Sequence, residues 1–278
     1  MEVDLKGNVH AYYVLDVFTD TPLTGNQLGI FPEGEVVPPE LMQRIARELN
    51  ISETIFLFPP EGEGTARVRI FTPGLELPFA GHPVLGAGVF LGHALGLDEV
   101  TLETGRGLTP LRLDGSFGWM VQPPFPHEPY ERADELLAAL GVDESLLPVE
   151  AYENGPRHVY VRLPDEDAVA RLAPDLGALA GHERVGANCF AGEETRWKTR
   201  MFSPTLGVAE DPATGSAAGP LAVHLGRHGV VPFGTAIEIH QGTEIGRPSV
   251  LHARADSEDR AEVGGSAVVV ARGHYRVH

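Results

Sequence analysis

The sequence predicts an α/β (α+β) protein built from two related halves, and three observations carry that prediction. One phrase is written twice: Arg69-Ile70-Phe71-Thr72-Pro73 leading to Pro78-Phe79-Ala80-Gly81-His82-Pro83, and Arg200-Met201-Phe202-Ser203-Pro204 leading to Glu210-Asp211-Pro212-Ala213-Thr214-Gly215-Ser216. The copies stand 131 residues apart at Phe71 and Phe202, and 134 apart at Gly81 and Gly215. That period is the size of a domain, not of a solenoid unit. Strand-like and helix-like segments alternate through both halves, and 278 residues suffice for two ordinary domains.

The elements follow in order. His10 to Phe18 and Gly29 to Phe31 read as strands around the turn-rich run from Asp20 to Asn26. Pro38 to Leu49 reads as an amphipathic helix: Leu41, Ile45 and Leu49 recur at helical spacing, Pro38 and Pro39 open it, and Asn50 suits its end. The strand-like Thr54 to Phe58 follows almost at once, which puts Ser52 and Glu53 at a helix-to-strand junction. Ala66 to Phe71 is a further strand, and after a loop Gly81 to Leu95 is a helix whose Gly86, Gly88 and Gly92 suit close packing better than helix propensity. Strands Thr101 to Glu103 and Thr109 to Leu113 come next. The Pro-rich Gln122 to Pro126 is expected to be the linker, dividing the chain into domains 1–125 and 126–278, with a last strand able to return to the first. Helix Ala133 to Leu140, strand His158 to Leu163 and helix Ser216 to Arg227, with Pro220 in its first turns, complete the reading.

Composition narrows the function. With 21 basic against 39 acidic residues the formal charge is 18 negative, which repels phosphate backbones and anionic membranes, so no nucleic-acid or membrane partner is expected. The start Met1-Glu2-Val3-Asp4 carries no basic flank and apolar run, and no apolar stretch is long enough to span a bilayer; cytoplasmic residence is the expectation. Cys189, the single cysteine, reads as a small core residue and leaves no disulfide or cysteine zinc site.

The repeat also points to a site. If the halves face each other, the helix N-termini at Gly81 and Gly215 present unpaired N–H groups to one cleft, which suits a small anionic metabolite. His82 and Ser216 hold equivalent positions there, with Asp211 in the adjoining loop. Glu53, bracketed by Ile51 and Ile55-Phe56-Leu57, is placed to be desolvated, and the resulting rise in pKa suits a proton shuttle. Each of these residues also has a bland reading as a cap, a turn former or a strand-edge carboxylate. Other patterns fail. Gly86, Gly88 and Gly92 lie inside a helix, not in the turn that a dinucleotide needs. His224 and His228 share a helical face without the glutamate of a zinc protease and read as a solvated face. Thr214-Gly215-Ser216 lacks the glycine of a nucleophile elbow, although a Ser216, His82 and Asp211 hydrolase triad is conceivable.

Taken together, Ser52-Glu53-Thr54, Glu76 to Pro83 and Glu210 to Pro220 resemble the PhzF-like phenazine-biosynthesis isomerase family, and Met42 to Glu48, Asn154 to Val159, Asn188 to Gly192 and Gln241 to Ser249 extend the resemblance over almost the whole chain. The resemblance implies a diaminopimelate-epimerase-like fold: two similar domains, each a curved sheet around a central helix, related by a pseudo-two-fold. It implies isomerisation of trans-2,3-dihydro-3-hydroxyanthranilate, with hydrogen moving from C3 to C1, no cofactor and no metal. The proton shuttle falls on Glu53, supporting roles on His82, Asp211 and Ser216, and anion binding near Gly81 and Gly215. The family's customary homodimer is the expected assembly. Epimerase-type members carry a cysteine in each half, where this chain has His82 and Ser216, so thiol racemase chemistry is excluded. An isomerase or epimerase of another small carboxylate, a serine hydrolase and a silent binding protein are the competing readings.

Overall fold

The computed structural model describes residues 8–277. Met1 to Asp4, on which the expectation of no targeting segment rests, lie outside the described residues. The first half runs β1 (Asn8–Val17), β2 (Asn26–Phe31), α1 (Pro39–Leu49), β3 (Glu53–Phe58), β4 (Ala66–Phe71), β5 (Glu76–Leu77), α2 (Gly81–Leu95), β6 (Glu99–Thr104), β7 (Gly107–Asp114) and β8 (Phe117–Val121). The chain continues into its second half through β9 (His127–Pro129), α3 (Ala133–Leu140), β10 (Glu150–Glu153), β11 (Arg157–Arg162), α4 (Glu166–Ala170), α5 (Leu176–Leu179), β12 (Val185–Glu193), β13 (Arg196–Ser203), β14 (Val208–Asp211), α6 (Gly215–Arg227), β15 (Ala236–Gln241), β16 (Ser249–Ser257) and β17 (Arg260–Val277).

The repeated phrase is a repeated topology. In the first half β2 pairs parallel with β3, β3 antiparallel with β4, and β4 parallel with β6. In the second, β11 pairs parallel with β12, β12 antiparallel with β13, and β13 parallel with β15. Phe71 and Phe202 occupy matching places, opposite Thr54 and Ala187. The segment after each phrase, expected as loop, forms a short antiparallel strand, β5 on β4 and β14 on β13. The long β17 pairs with β16, β8 and β1, so the chain's end stitches the halves together.

Helices α2 and α6 are the centre of this arrangement. Nearly all of α6, from Gly215 through Leu225, is buried. A helix enclosed by sheet gains about 1.5–3 kcal/mol for each large apolar side chain it buries, Leu221, Val223 and Leu225 among them. In α2 the glycines let the sheet close in: a Cβ at Gly88 would meet Leu111 Cδ2 at 2.5 Å, and one at Gly92 would meet Leu113 Cδ1 at 2.1 Å. The contact offsets a propensity cost of about 1 kcal/mol per glycine. Peripheral α1 behaves as its sequence says, with Pro39 in its first turn, Met42, Ile45 and Ala46 buried, and Asn50 closing it in the left-handed conformation at φ 50°.

Two expectations are corrected here. Pro220 lies beyond the first turn of α6, so the Ser216 carbonyl loses its helical donor. Asn154 Nδ2 replaces that donor at 2.9 Å. His224 and His228 do not form a solvated face. His224 is fully buried, its ring stacked 5.5 Å from that of Tyr160 and edge-on to Phe190, because α6 is wrapped on every side and has no solvent face at that level. Both imidazoles reach Glu150 Oε2, His224 Nδ1 at 3.2 Å and His228 Nε2 at 3.1 Å. Their spacing resembles a metal-binding triplet, but Arg227 Nη1 sits 2.6 Å from the same oxygen and supplies the positive charge there. Burial pushes the Glu150 carboxyl up, yet hydrogen bonds from Arg227 and His228 outweigh it and hold it at about 2. Cys189 is fully buried in β12, as expected.

Candidate active site

The fold brings all six sequence-selected residues to one cleft. Glu53, Gly81, His82, Asp211, Gly215 and Ser216 line it together with an apolar wall that includes Leu75, Leu77, Met201 and Val208. The space is about 660 Å³ out to its open mouth. Each polar residue is delivered by an element end. Glu53 begins β3, directly after the turn that ends α1; Asp211 ends β14; His82 and Ser216 are second residues of α2 and α6. No side chain caps either helix.

The two helix mouths abut through backbone. A Cβ on Gly81 would fall 2.5 Å from both Gly215 C and Ser216 N, and one on Gly215 would fall 3.0 Å from His82 N. Only glycine permits that approach, which brings two sets of helix N-terminal N–H groups to a common point and favours a negative group there.

His82 Nε2 lies 3.0 Å from Glu53 Oε2 and 3.3 Å from the Gln27 carbonyl. A carbonyl only accepts, so the imidazole carries its proton on Nε2. That proton points to Gln27, and Glu53 Oε2, buried, has no hydrogen-bond partner of its own. Burial, reinforced by the nearby Asp211 charge, holds the Glu53 carboxyl well above the ordinary carboxylate range. Burial lowers the His82 imidazole to about 3, against the opposing pull of the Gln27 carbonyl. The result is a neutral imidazole beside a strongly basic, unsatisfied carboxyl, an arrangement suited to proton transfer at carbon.

Asn26, at the start of β2, ties the halves together. Its Nδ2 lies 3.0 Å from Asp211 Oδ1, 2.9 Å from the Ala213 carbonyl and 3.3 Å from His82 Nδ1. Thr214 Oγ1 donates to Asp211 Oδ2 at 2.6 Å, and Gln241 Nε2 donates to the Asp211 carbonyl at 2.8 Å. Burial raises Asp211 to about 6, with the Thr214 and Asn26 hydrogen bonds limiting the rise.

Sequence reasoning overlooked several members of this network. Asn154, His158, Asn188 and Gln241 sit in the stretches that carry the resemblance, but nothing in their spacing points to a role. By its local sequence Asn26 is only the end of a turn-rich run. Their common signal is a polar residue at the end of, or within, an apolar strand. Ser216 Oγ pairs with His158 Nε2 at 2.9 Å, not with His82, and Asp211 bonds neither imidazole. The hydrolase triad is therefore not assembled.

Two similar lobes of one continuous sheet, each wrapped around a buried helix and meeting at a cleft with paired helix mouths and a buried carboxyl, define an epimerase-like fold. Fold comparison agrees: a hydroxyproline epimerase from Agrobacterium vitis superposes with a TM-score of 0.67 over 97% of this chain and 93% of its own, at only 12% identity. More specifically, a family model described as phenazine biosynthesis-like protein matches residues 15–273, and the chain belongs to that PhzC-PhzF family. A relative from Pseudomonas fluorescens, a trans-2,3-dihydro-3-hydroxyanthranilate isomerase, is 47% identical over 95% of this chain and 99% of its own length. The crystal structure of a PhzF-family phenazine biosynthesis protein from Bacillus anthracis has a TM-score of 0.84 at 25% identity, covering 97% of this chain and all of that one.

Proposed function

We propose that this protein isomerises trans-2,3-dihydro-3-hydroxyanthranilate, the reaction named for its Pseudomonas fluorescens relative, with Glu53 as the proton carrier. The observation that carries the reading is the buried, unpartnered Glu53 Oε2 in a cleft that the N-termini of α2 and α6 also line. The substrate carboxylate binds at the helix mouths by Gly81 and Gly215, with Ser216 beside them. Glu53, as carboxylate, takes the proton from C3. The C3–H electrons form C3=C4, the double bond at C4=C5 moves to C5=C6, and the C1=C6 pair is released to C1, where the substrate carboxylate helps to spread the charge. Glu53 then returns the proton to C1 on the same face. C1 and C3 flank a single ring carbon, so one carboxyl reaches both.

In this reading His82, with its proton on Nε2, and Asp211 orient the polar groups of the substrate. Closure of domains 1–125 and 126–278 over the ligand excludes water and sharpens the Glu53 shift. Acid–base chemistry by these side chains needs neither cofactor nor metal. We place the enzyme in the cytoplasm as a homodimer, after the family's customary assembly, which sedimentation velocity tests directly.

The deciding experiment incubates the protein with the dihydro-hydroxyanthranilate in deuterated water, following loss of the diene absorbance and deuterium at C1. Consumption that disappears in Glu53→Gln, with ligand binding retained, is expected. Substantial residual turnover in that variant would remove Glu53 from the central role.

A further inference from the structure

Ser216 lines the cleft, and its Oγ is in contact with a chain of buried polar groups outside the cleft lining. His158, on β11, is fully buried, and Asn188, on the neighbouring β12, is 3% exposed. Asn188 Nδ2 donates to the Gly186 carbonyl at 2.8 Å, which fixes the orientation of its amide because a carbonyl can only accept. The same Nδ2 lies 3.3 Å from His158 Nδ1, and so offers that nitrogen its second hydrogen. His158 Nδ1 must then be the acceptor, its proton resides on Nε2, and Nε2 donates to Ser216 Oγ at 2.9 Å. Each donor in the series dictates the polarity of the next. With its oxygen already accepting from within the protein, the Ser216 hydroxyl has its own hydrogen left for the cleft.

We infer that His158 and Asn188 are positioning residues that hold the Ser216 hydroxyl as a hydrogen-bond donor to the carboxylate of the ligand. Burial keeps the His158 imidazole neutral, lowering it to about 3, so the polarity persists through the physiological range. The same polarity makes His158 a donor where a serine nucleophile requires a base, which is the chemical reason Ser216 does not act as a hydrolase serine here. Tyr160, two residues along the same strand face, donates to the Ala217 carbonyl at 2.6 Å, so the adjacent turn of α6 is held from the same side. The inference rests on the proposed isomerase reading only for the choice of an anthranilate-type ligand.

The test uses binding and spectroscopy, with no turnover required, so its failure is separable from failure of the proposed reaction. Anthranilate is the probe, and anthranilamide, which has the same shape without the charge, is the comparison. Ser216→Ala is expected to weaken anthranilate roughly 10- to 100-fold, as for a hydrogen bond to a charged group, and anthranilamide far less. His158→Gln, which keeps an N–H donor, is expected to stay within about threefold of the parent, whereas His158→Phe matches Ser216→Ala. The double variant Ser216→Ala/His158→Phe is expected to bind no more weakly than Ser216→Ala alone, because His158 acts through Ser216. Additive losses, or failure of His158→Gln to preserve binding, would overturn the inference. Independently of any variant, nitrogen NMR of the parent enzyme should show His158 protonated at Nε2 and bare at Nδ1; the opposite tautomer would also overturn it.

Discussion

Replacing Gly81 by alanine tests the central geometric feature, the backbone contact between the two helix mouths. The added Cβ would sit 2.5 Å from Gly215 C and Ser216 N, where ordinary contact begins at 3.4 Å. Both obstacles are backbone, so no rotamer change relieves them, and α2 must move from α6 by about 0.9 Å. That displacement carries His82, on α2, away from Ser216, on α6, by nearly the 1 Å misplacement that costs about 100-fold in rate. Overpacking of this kind also costs about 1–3 kcal/mol of stability. Initial rates of diene loss at saturating substrate, paired with thermal unfolding, separate the two effects: Gly81→Ala is expected to remain folded with a lowered Tm and about 100-fold lower kcat. Parental kcat and Tm in this variant would refute the reasoning, because they would mean that the helix mouths do not touch or that their spacing is irrelevant to catalysis.

Three further outcomes are expected. The acid limb of the kcat–pH profile should lie well above the ordinary carboxylate range, because turnover needs ionised Glu53 and burial raises its pKa; a limb near 4 would contradict the desolvated site. Asp211 rises from 3.8 unfolded to about 6 folded, so the unfolded chain ionises first as pH increases, and this residue removes about 3 kcal/mol of stability between those values. Asp211→Asn should lose that component, seen by comparing urea unfolding of parent and variant at pH 4 and pH 7. Asn154→Ala should orphan the Ser216 carbonyl that Pro220 leaves without a helical donor, costing about 1–3 kcal/mol and shifting the urea midpoint with an unchanged m value.

Much of this protein was legible before folding. The doubled phrase announced two matching halves because both copies carry the same physical task, ending a strand and opening a buried glycine-rich helix. Helices α2 and α3 keep the bounds read from composition and spacing, and Asn50 closes α1 as its type suggests. Glu53, His82, Asp211 and Ser216 could be selected because each is a polar residue at an element end beside an apolar run. The same local signals misjudged His224 and His228: periodicity shows which side chains share a helix face, but not that α6 lacks a solvent face. The repeat could not reveal that β17 stitches both halves together, since strand partners are set by long-range pairing. Nor could spacing reveal Asn26, 185 residues from Asp211 and hydrogen-bonded to it, or His158 as the partner of Ser216. Local sequence determined which groups are available and where elements end; burial and hydrogen-bond direction, which set the basicity of Glu53 and the polarity of Ser216, arise only when distant segments exclude water from the same space.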